Sequence, residues 1–361
     1  MRRAGLRSLI LGASIFLTAS HAYAAPLVHV QADDSLDHFV EVDGVLVHYL
    51  DFGGEGLPLV FVHSESWDAT TFAGIAPRLT EQAHVLAVTR PGYGKSEALP
   101  DPFSVASQAE ALVSFLDALG IDRAVFAGNS SPIAYITHLA EHHRERVAGV
   151  IYLAGLMPLW LEGVRQGDPA GANGMAARAF DRPEGPARRT RQALMSWRPA
   201  FLDGEPTLID IAALAFVARS GTIGYERHSE ALVLVGSPFM ADLLRDLPAS
   251  PFADFIRRPS EDPAFRAQML ESIQDPEART LLLHLADDPG LQEEVWQYQQ
   301  EVVAPALEEG QTRFREAFGD HLRIARLDVP ILHGYEYRDA PDLVEPHLRR
   351  FLAELVEQEG H

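Results

Sequence analysis

Several short runs in this chain are apolar without alternating: Pro58 to Val62 (PLVFV), Val85 to Thr89 (VLAVT), Ala124 to Ala127 (AVFA) and Val147 to Leu153 (VAGVIYL). A strand with one wet face alternates polar and apolar residues. A strand that does not alternate is covered on both faces, which calls for a parallel sheet between layers of helix. Helical patterns fall between the runs as that arrangement requires. Val105 to Leu119 has a helical period and stops at Gly120, and Ile133 to Glu141 follows the third run. Ahead of them Phe39 to Leu50 does alternate and turns at Asp43-Gly44, so it reads as a β-hairpin. The predicted fold class is α/β, a mostly parallel sheet with flanking helices. Ligands bind such sheets at the carboxyl ends of strands, which singles out the loops after Val62, Thr89 and Ala127.

Residues 25–156 therefore form the first part of a core. From Met157 to Gln311 helical periodicity dominates between Gly/Pro-rich loops, which reads as an inserted helical cap. Two apolar runs inside it, Ala231 to Val235 and Thr280 to Leu285, have strand character, and the second is placed as a core strand near 280–286. Asp275-Pro276 upstream equally suits a helix start over 276–286. Residues 312–361 complete the core. Glu301 to Phe318 is an amphipathic helix leading into it, Leu322 to Val329 a late strand and Leu343 to Leu355 a closing helix.

Residues 1–24 read as a secretory signal peptide. Arg2, Arg3 and Arg7 precede the apolar stretch Leu9 to Ala19, and Ala22-Tyr23-Ala24 is an A-x-A cleavage site. The expected location is periplasmic or secreted, with no membrane span in the mature chain. The chain has no cysteine, so disulfides and thiolate chemistry are excluded. Its 51 acidic against 30 basic residues give a net charge of −21, which disfavours nucleic acid and anionic membranes as partners. The cluster Arg182, Arg188, Arg189 and Arg191 reads as a solvated loop. The 15 histidines show no H-E-x-x-H or comparable zinc spacing, so no metal and no organic cofactor is expected.

The third apolar run enters Gly128-Asn129-Ser130-Ser131-Pro132, and a helix follows at once. A strand, a serine among small residues and a helix make the layout of a nucleophile elbow, although proline stands where G-x-S-x-G has its last glycine. On these residues alone Ser130 serves either as a nucleophile or as a helix cap. From Val40 to Leu153 and from about Phe314 to Leu355 the chain resembles the α/β-hydrolase superfamily, most of all its exported bacterial serine hydrolases. The loop His63-Ser64-Glu65 stands where the family has His-Gly. Thr89-Arg90-Pro91-Gly92-Tyr93-Gly94-Lys95-Ser96 is similar to its D-x-R-G-x-G-x-S structural turn and lacks the first glycine of a phosphate-binding loop.

The resemblance implies Ser130 as nucleophile. It implies an oxyanion hole from the backbone N–H of Ser131 and that of Ser64 or Glu65, with Ser64 preferred. The family's chain order, serine, acid, histidine, implies His333 as base, with His347 and His361 as rivals. No carboxylate follows the strand ending at Leu153, so the acid is assigned to Asp287 on the later strand, with Asp288 and Asp242 as alternatives. The implied reaction is acyl transfer to water on an ester-type bond of a small molecule. The family's epoxide hydrolases and haloalkane dehalogenases use aspartate at the elbow. Trp160, Trp197 and Phe201 in the cap suit either a hydrophobic substrate or ordinary cap packing. The departures at Ser64, Asn129, Pro132 and the acid keep a second reading open: a catalytically impaired hydrolase-fold protein that binds a ligand or a partner. The sequence specifies no oligomeric state.

Overall fold

The computed structural model describes residues 36–64, 67–100, 103–154, 193–194, 197–203, 208, 210–217, 263–264, 267, 287–290, 304–329 and 335–359. The hairpin is formed by β1 (Asp37–Val42) and β2 (Val45–Gly53), in antiparallel register from Val42↔Val45 outward. Asp43 and Gly44 both have positive φ, 50° and 81°, the backbone that a two-residue hairpin of this twist requires. Next come β3 (Pro58–Val62) and β4 (His84–Val88). Helix α1 (Val105–Leu119) is closed at its start by a reciprocal Ser104–Ser107 capping box and at its end by left-handed Gly120. Then follow β5 (Ala124–Asn129), α2 (Pro132–His142) and β6 (Val147–Ala154). The chain ends with β7 (Ala213–Val217), α3 (Ala304–Phe318), β8 (Leu322–Arg326), α4 (Glu336–Asp339) and α5 (Pro341–Glu359).

One eight-stranded sheet holds the strands in the order β1-β2-β4-β3-β5-β6-β7-β8. Only β1–β2 and β2–β4 are antiparallel; every later pairing is parallel. Every residue of β5 is buried, and so are Leu59 to Val62 and Val85 to Val88, which is why these runs carry no alternation. Phe61, Phe72 and Tyr337 stack in turn on one face, at centroid spacings of 4.7 and 5.0 Å, and Leu348, Phe351, Leu352 and Leu355 of α5 extend the same core.

Within residues 157–311, read as a helical insertion with strand character at 231–235 and 280–285, the structure adds a strand that was not expected, β7 at Ala213–Val217, which pairs with both β6 and β8. All five of its residues, ALAFV, are buried. A five-residue run covered on both faces has no period to distinguish it from a turn of buried helix. The runs 231–235 and 280–285 lie outside the described residues, as does the segment read as a signal peptide. By contact density the chain divides into two compact units. One comprises residues 28–158, 189–224 and 311–361 and carries the sheet; the other comprises 1–27, 159–188 and 225–310. Among the described residues no helix is long and apolar enough to cross a membrane.

Candidate active site

Between the end of β5 and the first turn of α2 only Ser130 and Ser131 are available to reverse the chain. Ser130 takes the corner with φ 65°. Asp43 in the hairpin turn is the only other non-glycine with positive φ among the described residues. An L-residue held in this region costs about 1–2 kcal/mol, and such strain persists where the surroundings enforce it. Ser131 is already helical (φ −58°, ψ −39°) and Pro132 occupies the first helical position, where no N–H is needed.

Pro132 also explains Gly128. A Cβ at residue 128 would lie 2.7 Å from Pro132 Cβ and 3.3 Å from the Val62 carbonyl oxygen. The close approach that the last elbow glycine usually permits is here provided by Gly128 alone. Gly128→Ala is expected to cost about 1–3 kcal/mol through overpacking, read by urea unfolding. Adding Pro132→Gly should recover part of the loss. Equal loss in the single and double variants would show that Pro132 is not the obstacle.

The parallel register Val62↔Gly128 sets β3 beside β5. Ser64 and Ser130 each lie two residues beyond that pair, on strands about 4.8 Å apart. Among the described residues neither the Ser64 nor the Ser131 N–H has an acceptor. Both belong to the positions expected for the oxyanion donors, and Ser131 adds the N-terminal dipole of α2. The preceding His63 is wholly buried. Its Nδ1–H donates to the Ser64 carbonyl (2.7 Å), and its Nε2 accepts the Arg90 N–H (2.9 Å). Burial, then the Arg90 guanidinium, holds its pKa well below the usual histidine value, so the ring is neutral. Arg90 is itself buried, its guanidinium carbon 4.4 Å from the Tyr93 ring centroid and its Nη1 donating to the Tyr135 hydroxyl (3.2 Å). The turn after β4 is structural. Lys95 pairs with Asp37, and Ser96 donates to the Thr89 carbonyl while accepting the His48 N–H.

The chain after β8 returns to the same strand ends. The Tyr335 hydroxyl is 3.4 Å from Ser64 Oγ, and the Tyr337 hydroxyl donates to Asn129 Oδ1 at 3.5 Å beside the elbow. Burial drives the Tyr337 phenol far above its usual pKa, so it stays protonated. His333 lies outside the described residues, as do Glu65, Asp242, Trp160, His361 and the Arg182–Arg191 cluster. The rival His347 meets the edge of Phe216 on β7, with centroids 6.0 Å apart. Asp287 is exposed and helical, and belongs to the unit that does not carry the sheet, as does Asp288. The strand register thus sets Ser64, Ser130 and Ser131 at neighbouring strand ends, while His333 lies outside the described residues and Asp287 belongs to the unit that does not carry the sheet.

A family model described as the alpha/beta hydrolase fold matches residues 56–309, more than half of the chain. The chain belongs to the α/β-hydrolase family. Over 149 residues it is 31% identical to the bifunctional epoxide hydrolase 2 of Rattus norvegicus, covering 39% of this chain and 26% of that protein. Over 129 residues it is 28% identical to a bifunctional esterase/perhydrolase of Acinetobacter calcoaceticus, covering 33% and 45%. The chain thus spans less than half the length of either relative. Among solved structures, Est816, described as an N-acyl homoserine lactone degrading enzyme, aligns with a TM-score of 0.46 at 18% identity, over 87% of this chain and all of that one.

In this α/β-hydrolase two of the aromatic residues singled out in the cap, Trp197 and Phe201, have protein partners in the described structure. Phe201 is buried against Phe314 of α3, and the Trp197 indole N–H donates to His138 Nδ1. That contact leads to a cluster the sequence reading passed over. His138, Glu141 and His142 on α2 each offer a ligating atom within 4.8 Å of the others. Their order, H-x-x-E-H, reverses the template that was sought, yet it places the histidines on one helix face equally well. Burial, with His142 and His143 nearby, lowers the His138 pKa to about 4.

Proposed function

We propose that this α/β-hydrolase is an exported serine hydrolase that cleaves an ester-type bond in a small molecule, most simply a carboxylesterase. The observation that carries this reading is Ser130 at φ 65° between β5 and α2. A serine that only caps a helix has ordinary extended backbone and needs no strained corner. Its hydroxyl attacks the substrate carbonyl. The Ser64 and Ser131 N–H groups receive the oxyanion, and His333 takes the serine proton and returns it to the leaving group. Tyr335 and Tyr337 support His333 as base, because they anchor the chain directly after His333-Gly334 against Ser64 and Asn129. Serine at the elbow favours acyl transfer over the epoxide chemistry named for the mammalian relative.

Labelling with a fluorophosphonate probe tests the reading. Wild type is expected to label and His333→Ala to lose labelling by about 10³-fold or more. A folded wild type that does not label would sink it.

A binding protein is the second reading, and the position of β7 favours it. Neither Gly155-Leu156-Met157 after β6 nor Ala218-Arg219-Ser220-Gly221 after β7 contains a carboxylate, and the first beyond β7 is Glu226. Asp287 stays the proposed acid, tested by Asp287→Asn beside Glu226→Gln. If neither lowers turnover, His333 works without a carboxylate from these segments.

A further inference from the structure

Acyl transfer makes no use of the histidine-bearing face of α2. His138, Glu141 and His142 occupy positions i, i+3 and i+4, one turn of one helix. Their ligating atoms lie within 4.8 Å of one another and the two imidazole centroids are 4.1 Å apart. Two histidines one turn apart converge on a common point in either reading direction, and the intervening glutamate adds an oxygen beside them.

We infer that this face binds a divalent transition metal ion through His138, Glu141 and His142, with water completing the coordination. Two imidazoles and one carboxylate suit zinc, nickel or copper, whereas magnesium and calcium prefer oxygen donors alone. Around an ion with bonds of about 2.0–2.2 Å, tetrahedral donors stand about 3.3–3.5 Å apart. The cluster therefore closes slightly on binding. His142 is exposed, and among the described residues its ring meets the His138 ring but accepts and donates no hydrogen bond, so no hydrogen bond is broken when it turns toward an ion.

The hydrogen bonds around the cluster fix how binding is reported. The Trp197 indole donates to His138 Nδ1 at 3.3 Å, and Glu141 accepts the Phe201 N–H at 3.2 Å. A neutral His138 that accepts at Nδ1 carries its proton on Nε2. A metal at Nδ1 replaces the indole. A metal at Nε2 forces the proton onto Nδ1, which then cannot accept. In both cases the Trp197 hydrogen bond breaks.

The test uses the full chain after chelator treatment. Zinc chloride is titrated by calorimetry, and copper(II) chloride by tryptophan fluorescence. One saturable zinc site per chain is expected, weakened about tenfold or more by His142→Ala and by Glu141→Gln. Copper quenching should fall markedly in Trp197→Phe. His143→Ala should keep zinc affinity within about twofold, because that ring pairs with Glu110 at 2.8 Å instead. His142 is exposed, so its variant keeps the fold, checked by circular dichroism. No saturable site in folded wild type, or unchanged affinity in His142→Ala, would overturn the inference and leave the cluster as a polar tie between α2 and residues 197–203. Neither outcome depends on whether Ser130 hydrolyses anything.

Discussion

Ser130→Ala is expected to abolish fluorophosphonate labelling and to lower ester turnover by about 10⁴-fold or more, the scale of losing a serine nucleophile. Its stability should stay close to wild type, since alanine keeps a Cβ at the same strained corner. Ser130→Gly should lose activity as completely. It should also be more stable than Ser130→Ala by about 1 kcal/mol, because glycine adopts φ 65° without steric cost. This reverses the usual order, in which glycine is the less stable of the two by about 0.5–1 kcal/mol. Urea unfolding of the two inactive variants separates the cases. If alanine proves the more stable, the corner is not strained and Ser130 loses the feature that distinguishes it from a cap.

The same strain explains why the elbow was legible despite Pro132. A buried strand, two residues and a helix leave little choice of backbone, and Gly128 supplies the space that the motif ordinarily divides between two glycines. Local signals of this kind transferred well to the fold. Asp43-Gly44 fixed the hairpin, the helical period from Val105 and the stop at Gly120 the limits of α1, and the apolar run PLVFV the whole of β3. β7 was not legible because ALAFV competes with the similar apolar runs ALVLV and TLLLHL in the same stretch, and only pairing to β6 and β8 selects it. The His138 cluster was missed for a simpler reason. H-E-x-x-H prescribes an order, whereas the geometry depends only on helical spacing. The part of His63 was not legible either, as its partner amide is on Arg90, 27 positions away.

His63 should therefore carry the largest effect on stability. His63→Ala orphans the buried Arg90 N–H, at about 1–3 kcal/mol, takes from the Ser64 carbonyl the shorter of its two hydrogen bonds while the Trp67 N–H remains, and opens a cavity besides. The expected loss is about 2–4 kcal/mol, with hydrolysis lowered too, because the Ser64 carbonyl that the ring holds belongs to the residue proposed to donate its N–H to the oxyanion. The pH dependence has a definite sign. The folded state keeps His63 neutral with its pKa well below the ordinary value, whereas the unfolded chain protonates it near 6.5. Its contribution is thus complete above about pH 6.5. Below that pH the unfolded state binds the extra proton, and stability falls by up to about 1.4 kcal/mol per pH unit as pH drops toward the folded pKa. Urea unfolding at pH 8 and pH 5 should show a smaller difference in His63→Ala than in wild type. The remainder belongs to other histidines, His138 and His347 among them, whose pKa values burial also depresses. An identical pH difference in both proteins would mean that His63 is protonated alike in the folded and unfolded states. The hydrogen bond that it accepts from Arg90 could not then be the one that positions the loop.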